Sequence, residues 1–229
     1  MKDIQFVYFD IDDTLLDHKS AQERALVDVY HRFQDQFGDT DLSAVQHVYH
    51  THNVALWKQY ALGEIDRPFL QEQRFLRLVQ ELDLHTAPHQ EIGTYYMKQY
   101  AEHWIYCEGA YETFTHIADR YPVGVLTNGF TEVQHAKLAR FNELRDRLAA
   151  TVISEEVGYM KPHPELFKHA SAKAETDPQN ILYIGDSYSS DIEGGQNAGW
   201  NVIWYKPQAT NIPNGVDHIK QLSELKERL

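Results

Sequence analysis

Apolar residues fall along the chain in two patterns. Short β-branched or aromatic runs stand at Ile4–Phe9, Val123–Leu126, Thr151–Ile153, Ile181–Ile184 and Asn201–Tyr205. Helical patterns lie between most of them, the signature of βαβ units and of a parallel sheet with helices on its faces. From Thr127 to Ile153 is 26 positions and from Ile153 to Ile184 is 31, close to the roughly 30 residues of one βαβ unit. From Asp10 to Thr127 is 117. That interval holds roughly 80 residues too many for one crossover, which predicts an inserted second domain.

The surplus reads as helices throughout. Ser20 and Glu23 form a capping-box pattern, followed by Leu26, Val29, Tyr30 and Phe33 at helical spacing. A second helix is predicted from near Asp41 to Leu62, stopping at Gly63. A third starts at Asp66 with Pro68 in its first turn and buries Phe75, Leu78, Val79 and Leu82. A fourth covers roughly Pro88–Trp104. The expected fold is α/β: a doubly wound, mainly parallel, Rossmann-like sheet with a helical cap domain inserted after its first strand. Residues 1–17 and 106–229 would form the sheet domain, and 18–105 the helical one.

Charge narrows the range of partners. Lys and Arg number 21 against 34 Asp and Glu, a net of −13, which disfavours a nucleic-acid polymer or an anionic membrane surface. A small phosphorylated substrate stays compatible, because a few local cations reverse the field inside one cleft. Cys107 is the one cysteine, so no internal disulfide forms. The first residues lack a signal peptide's apolar region, and no apolar run approaches the ~18 residues of a membrane span. These features predict a cytoplasmic protein, monomeric or homodimeric.

Four short motifs sit at or just beyond predicted strand ends, where open α/β sheets bind ligands. In FDIDDTLLD, strand alternation puts Asp10 and Asp12 on one face and Asp13 on the other. Two carboxylates so arranged suit a nucleophile and a general acid/base; a solvated acidic turn is the plainer alternative. In VLTNG, Thr127 offers a hydroxyl and the next turn can aim N–H groups at an anion, though the fragment alone reads better as an ordinary strand-to-turn transition. Pro162 keeps Lys161 out of a helix and on a loop ahead of one near Pro164. Asp186 ends a strand and Asp191 follows five positions later, where the next helix begins. Asp10 and Asp186 could supply the carboxylate pair that magnesium commonly takes, with Asp191 as an outer acceptor or a helix N-terminal charge. Gly194, Gly195 and Gly199 make no dinucleotide fingerprint and read as close packing or a helix stop.

Together, in this order and spacing, the four motifs resemble those of the haloacid dehalogenase superfamily, whose phosphatases use Asp-x-Asp, a Ser/Thr, a Lys and a terminal acidic motif. LTNGFTEVQHAKL, VISEEVGYMKPHPELF, GDSYSSDIEGGQNAGW and, more loosely, ALWKQYALGEI in the insert resemble its pyrimidine 5′-nucleotidase branch. The resemblance implies a magnesium-dependent phosphomonoester hydrolase acting on nucleoside monophosphates. By it, Asp10 is the nucleophile and a magnesium ligand. Asp12 is the proton donor and acceptor, and its backbone carbonyl a further ligand. Thr127, Asn128 and Lys161 hold the phosphoryl group, Asp186 ligates magnesium, and Asp191 orients the metal shell or Lys161. Selectivity is then expected from the aromatic side chains of the insert.

Other readings are a phosphatase or phosphomutase acting on sugar phosphates, a 2-haloacid dehalogenase, and a non-catalytic binding module. A dehalogenase needs neither magnesium nor an acid at position 12, and a silent module would be expected to lack a catalytic member. His47, His50 and His52 suggest zinc only weakly, since His52 leaves the face shared by the other two and no HExxH pattern accompanies them. Trp57, Tyr60, Trp104 and Tyr106 could stack on a base but are each expected in a core.

Overall fold

Phe6–Phe9 is a run of four buried residues without polar alternation, as a parallel strand covered on both faces requires. In a computed structural model, which describes residues 3–84, 86–208 and 210–229, this run is the strand β1. It lies inside a six-stranded sheet with β2 (Val123–Thr127), β3 (Leu148–Ile153), β4 (Ile181–Gly185), β5 (Asn201–Tyr205) and β6 (His218–Ile219). The order is β3-β2-β1-β4-β5-β6, and every pairing is parallel. The chain winds from β1 to one side through β2 and β3, then crosses to β4 on the other. A crevice therefore opens at the carboxyl ends of β1 and β4.

Helices cover both faces of the sheet. On one, Tyr8, Leu126, Val152 and Tyr183 pack with Trp200 and with Phe167 of a helix spanning Pro164–Ala174. Tyr8 stacks on Trp200 at 5.3 Å, and its hydroxyl donates to the Ala170 carbonyl. On the other face, Phe9 meets Phe114 of a helix spanning Ala110–Ala118. Each such fully buried side chain contributes about 1.5–3 kcal/mol. Strand β3 begins three residues before the predicted Thr151. β6 has no counterpart in the apolar pattern, being a two-residue edge after a stretch holding Pro207, Pro213 and Gly215.

The chain divides into two compact units, Met1–Asp17 with Ile105–Leu229, and His18–Trp104. The second is helical: α1 (His18–Arg32), α2 (Leu42–Ala61), α3 (Arg67–Glu81) and α4 (His89–Glu102). They gather around Tyr49, Phe75 and Tyr96, whose ring centroids lie 5.1–5.2 Å apart. α1 is already under way at His18, so Ser20 and Glu23 lie inside it rather than at its start. Ala21 and Ala25, also buried, carry its apolar face further toward the N-terminus than Leu26. α2 ends as predicted at Gly63 (φ 71°), where the Gly63 and Glu64 N–H groups donate to the Tyr60 and Gln59 carbonyls. α3 is capped by Asp66, which accepts from the Phe69 N–H at 2.9 Å. Leu82 is half-buried rather than core, since the helix has ended at Glu81.

Of Trp57, Tyr60, Trp104 and Tyr106, three depart from the core expectation. Trp104 is buried. Trp57 and Tyr60 are half-exposed and pack edge-to-face on α2. Tyr106 is half-exposed too, donating to Glu143 and lying against Phe141. His50 bonds Gln22 and His52 bonds Glu81, so these two histidines do not converge. Among the described residues, no helix is long and apolar enough to cross a membrane.

Candidate active site

Asp10 is the first residue beyond β1, and its N–H donates to Ile184 of β4 at 2.9 Å. That bond fixes its side chain at the crevice between the two strands. Its carboxylate is buried, and one oxygen lies 2.8 Å from Lys161 Nζ. Lys161 is 3% exposed and stands just ahead of the Pro164–Ala174 helix, on the loop its sequence predicted. Its ammonium also meets Asp191 Oδ1 at 2.8 Å, the Leu126 carbonyl at 3.1 Å and the Tyr183 hydroxyl at 2.8 Å. Burial alone would discharge this lysine, but the two carboxylates outweigh it and hold its pKa above the ordinary lysine value.

Two carboxylates touch this ammonium and a third, Asp186, stands beside them. Oxygens of Asp10, Asp186 and Asp191 lie within 4.8 Å of one another. Burial pushes the Asp10 carboxyl well above the usual carboxylate range, and repulsion from Asp191 and Asp186 adds to it, against the pull of Lys161. With all three ionised, three negative charges against one positive would leave an excess of two, which a divalent cation would offset and which would keep Asp10 charged. An all-oxygen carboxylate set suits magnesium rather than a soft metal. Asp191 is already heavily engaged: Oδ1 receives Lys161 and Tyr183, and Oδ2 receives the Ser187 N–H at 2.9 Å. Asp10 and Asp186 are therefore the residues better placed to hold such an ion.

Asp191 reaches this position through a π-helical turn, Tyr188–Ile192, that passes over Gly185. A Cβ on Gly185 would stand 2.4 Å from Asp191 Oδ2. Gly185→Ala is expected to cost about 2 kcal/mol and to lower Tm by roughly 4–8 °C. Calorimetry reads this directly, and an unchanged Tm would mean that Asp191 has room to move.

Alternation does not decide the aspartates after Asp10, because the strand has ended at Phe9. Asp12 forms a bridge to Leu16, and Asp13 takes a left-handed φ of 58°. The Asp12 carboxylate is held by Lys137 Nζ at 2.5 Å and Gln134 Nε2 at 3.1 Å, and it is not among the three clustered carboxylates. Gln134 and Lys137 lie on the buried side of the helix Thr131–Arg140. Neither is among the residues expected at the site, although buried-face polar residues three apart, just ahead of Leu138, are a usable signal.

Gln134 also donates to the Thr127 hydroxyl at 2.6 Å, tying the end of β2 to Asp12. The Asn128 carboxamide is turned to Lys161: it accepts from the Lys161 N–H at 2.8 Å and donates to the Lys161 carbonyl at 3.1 Å. It positions the lysine loop, which leaves the backbone of this turn as the element suited to an anion. Tyr183, likewise not anticipated, spans Lys161, Asp191 and the Leu126 carbonyl.

Known proteins carry the same arrangement of elements. The family model of haloacid dehalogenase-like hydrolases matches residues 4–199. The pyrimidine 5′-nucleotidase YjjG of Escherichia coli (strain K12) is 31% identical over 225 residues, 97% of this chain and 95% of that protein. The pyrimidine 5′-nucleotidase PynA of Streptococcus pneumoniae is 31% identical over 209 residues, 89% of this chain and 84% of that protein. Among solved structures, YfnB of Bacillus subtilis, crystallised bound to magnesium, is 28% identical and covers 99% of both chains with a TM-score of 0.82. The family match runs from β1 through the turn that carries Asp191 and so spans all four motifs; this chain belongs to the haloacid dehalogenase-like hydrolase family.

Proposed function

We propose that this hydrolase is a phosphatase that passes the phosphoryl group of a nucleoside 5′-monophosphate, a pyrimidine above all, to Asp10 and then to water. The observation that carries the reading is the buried Asp10 carboxylate, 2.8 Å from Lys161 and clustered with Asp186 and Asp191. An Asp10 oxygen attacks phosphorus, and the bond to the ester oxygen breaks. Asp12, oriented by Lys137 and Gln134, gives its proton to the departing oxygen. A water then attacks the aspartyl phosphate, surrenders a proton to Asp12 and releases inorganic phosphate, restoring the Asp10 carboxylate. Lys161 and the Thr127–Asn128 turn hold the phosphoryl oxygens through both steps.

Magnesium, held by Asp10 and Asp186 with the Asp12 carbonyl, would neutralise phosphoryl charge during transfer. Lys161, 2.8 Å from Asp10, shares that work, so that an anionic nucleophile can approach an anionic ester. The choice of nucleoside 5′-monophosphates draws on the names of the two nucleotidase relatives and on the motif resemblance.

One assay series tests both parts. Phosphate release from UMP and dTMP is expected to stop in chelator, to return with magnesium and to return poorly with calcium, which prefers more ligands and looser geometry. At saturating magnesium, kcat/KM for UMP or dTMP should exceed that for glucose 6-phosphate by about tenfold or more, a difference of roughly 1.4 kcal/mol and within the worth of one base-stacking contact. Glucose 6-phosphate equalling both nucleotides would remove the nucleotidase reading and keep the phosphatase. Halide release from haloacids, undiminished by chelator, would remove both.

A further inference from the structure

The helical unit contains a cavity of about 310 Å³ between α3 and the first turns of α4, within the size range of small-molecule sites. Its wall includes Arg74 of α3 and Gln90, Gly93, Thr94 and Met97 of α4. Arg74 is only 7% exposed. Its Nε has no hydrogen-bond partner, Nη2 donates to the Met97 sulfur at 3.7 Å, and the Tyr49 hydroxyl stands beside the guanidinium. Among the described residues, no carboxylate forms an ion pair with it.

A guanidinium taken out of water normally has a counter-charge, because an unpaired buried charge is expensive. The groups beside Arg74 do not provide one. The phenols of Tyr49 and Tyr96 are its neighbours, and burial pushes both pKa values up, so they stay neutral. Phe75 lies beneath its Cζ at 6.0 Å. Glu72 stands at the cavity rim half-exposed, 4.0 Å from His89 Nε2, an atom that is itself buried without a hydrogen bond. The N-terminus of α4, a 14-residue helix starting at His89, adds its positive end to the same space.

We infer that this cavity is a binding site for a small monocarboxylate, whose carboxylate takes the unpaired face of Arg74 and whose short hydrocarbon body lies along Gly93 and Met97. A carboxylate matches the two-pronged guanidinium edge. A single negative charge also balances the one uncompensated cation. A dianionic phosphate would leave a negative charge over beside Glu72. The site lies wholly within the helical unit and shares no residue with the Asp10 cluster.

The test uses the full chain in chelator, with butyrate as probe and butyramide and inorganic phosphate as comparisons. The readouts are the ¹⁵Nε resonance of Arg74 and Tm. Butyrate should move the resonance saturably and raise Tm, and butyramide should do neither. Arg74→Met should weaken the butyrate-dependent rise in Tm on the order of 10- to 100-fold in apparent affinity. Gln90 is exposed, so Gln90→Glu should fold normally while setting a second carboxylate on the wall. It should weaken butyrate about tenfold, a like-charge penalty near 1.4 kcal/mol by the same conversion. A resonance unmoved by butyrate, or moved as readily by butyramide or phosphate, overturns the inference. So does a butyrate response that Gln90→Glu leaves unchanged.

Discussion

Asp10→Asn is expected to bring phosphate release down to background, a loss on the order of 10⁴-fold or more, while the protein stays folded. The amide oxygen is no nucleophile toward phosphorus, so no aspartyl phosphate can form. It can still accept the hydrogen bond that Lys161 gives Asp10 Oδ1 at 2.8 Å. Lys161 also keeps Asp191 as its counter-charge, so the buried ammonium is not stranded. Folding should even gain in the metal-free protein. Burial, and then Asp191 and Asp186, raise the Asp10 pKa well above its unfolded value. A carboxyl shifted that way is most favourable to the fold when protonated, and its contribution is lost as pH rises through the folded pKa. The wild type should therefore lose stability relative to Asp10→Asn as pH climbs above the usual carboxylate range. Thermal unfolding in chelator across that window gives the sign, and single-turnover trapping of labelled phosphate gives the chemistry. Turnover retained in the variant would end the aspartyl-phosphate mechanism.

What could be read without coordinates follows from which forces are local. The strands β1 and β4 are legible because both faces of a parallel sheet are buried there, which makes each an unbroken apolar run. The ends of α2 and α3 were legible because Gly63 and Asp66 with Pro68 satisfy helix termini within a few residues. Strand β6 was not, since two residues at a sheet edge bury too little to leave a pattern. The start of α1 leaves no strong apolar signal, because the alanines Ala21 and Ala25 fill its buried face where larger apolar residues would mark it. The aspartates after Asp10 show a different failure. Alternation is a property of strands, and the left-handed turn at Asp13 ends it. The partners of Asp12 lie on a helix more than 120 positions away, Gln134 by 122 and Lys137 by 125. Nothing local in FDIDD points to them, and only the unexplained polarity of that helix's buried side marks them out.

Those distant partners shape the second large effect, at Asp12. Asp12→Ala would deprive Lys137, 2% exposed, of this partner and mix a folding defect with a chemical one. Asp12→Asn avoids that, since it keeps an acceptor for Lys137 but can neither deliver nor take a proton. It is expected to lose 10²–10⁴-fold on nucleotide substrates, the usual worth of a positioned general acid/base. The loss should depend on the leaving group. Nitrophenolate departs without a proton, so the first step with p-nitrophenyl phosphate should survive the substitution, whereas water activation should not. The variant should thus release a stoichiometric burst of nitrophenolate and then stall as the phosphoenzyme. Lys137→Met, which removes a positioning group and leaves the carboxylate, should lower both steps by about tenfold with nucleotide substrates but only the second with p-nitrophenyl phosphate, so that turnover continues after the burst instead of stalling. Asp13→Asn is the control, because Asn tolerates the left-handed φ of 58° that alanine would resist, and it should stay near wild type. Equal losses at positions 12 and 13, or a slow first step with p-nitrophenyl phosphate in Asp12→Asn, would move the proton transfer away from Asp12.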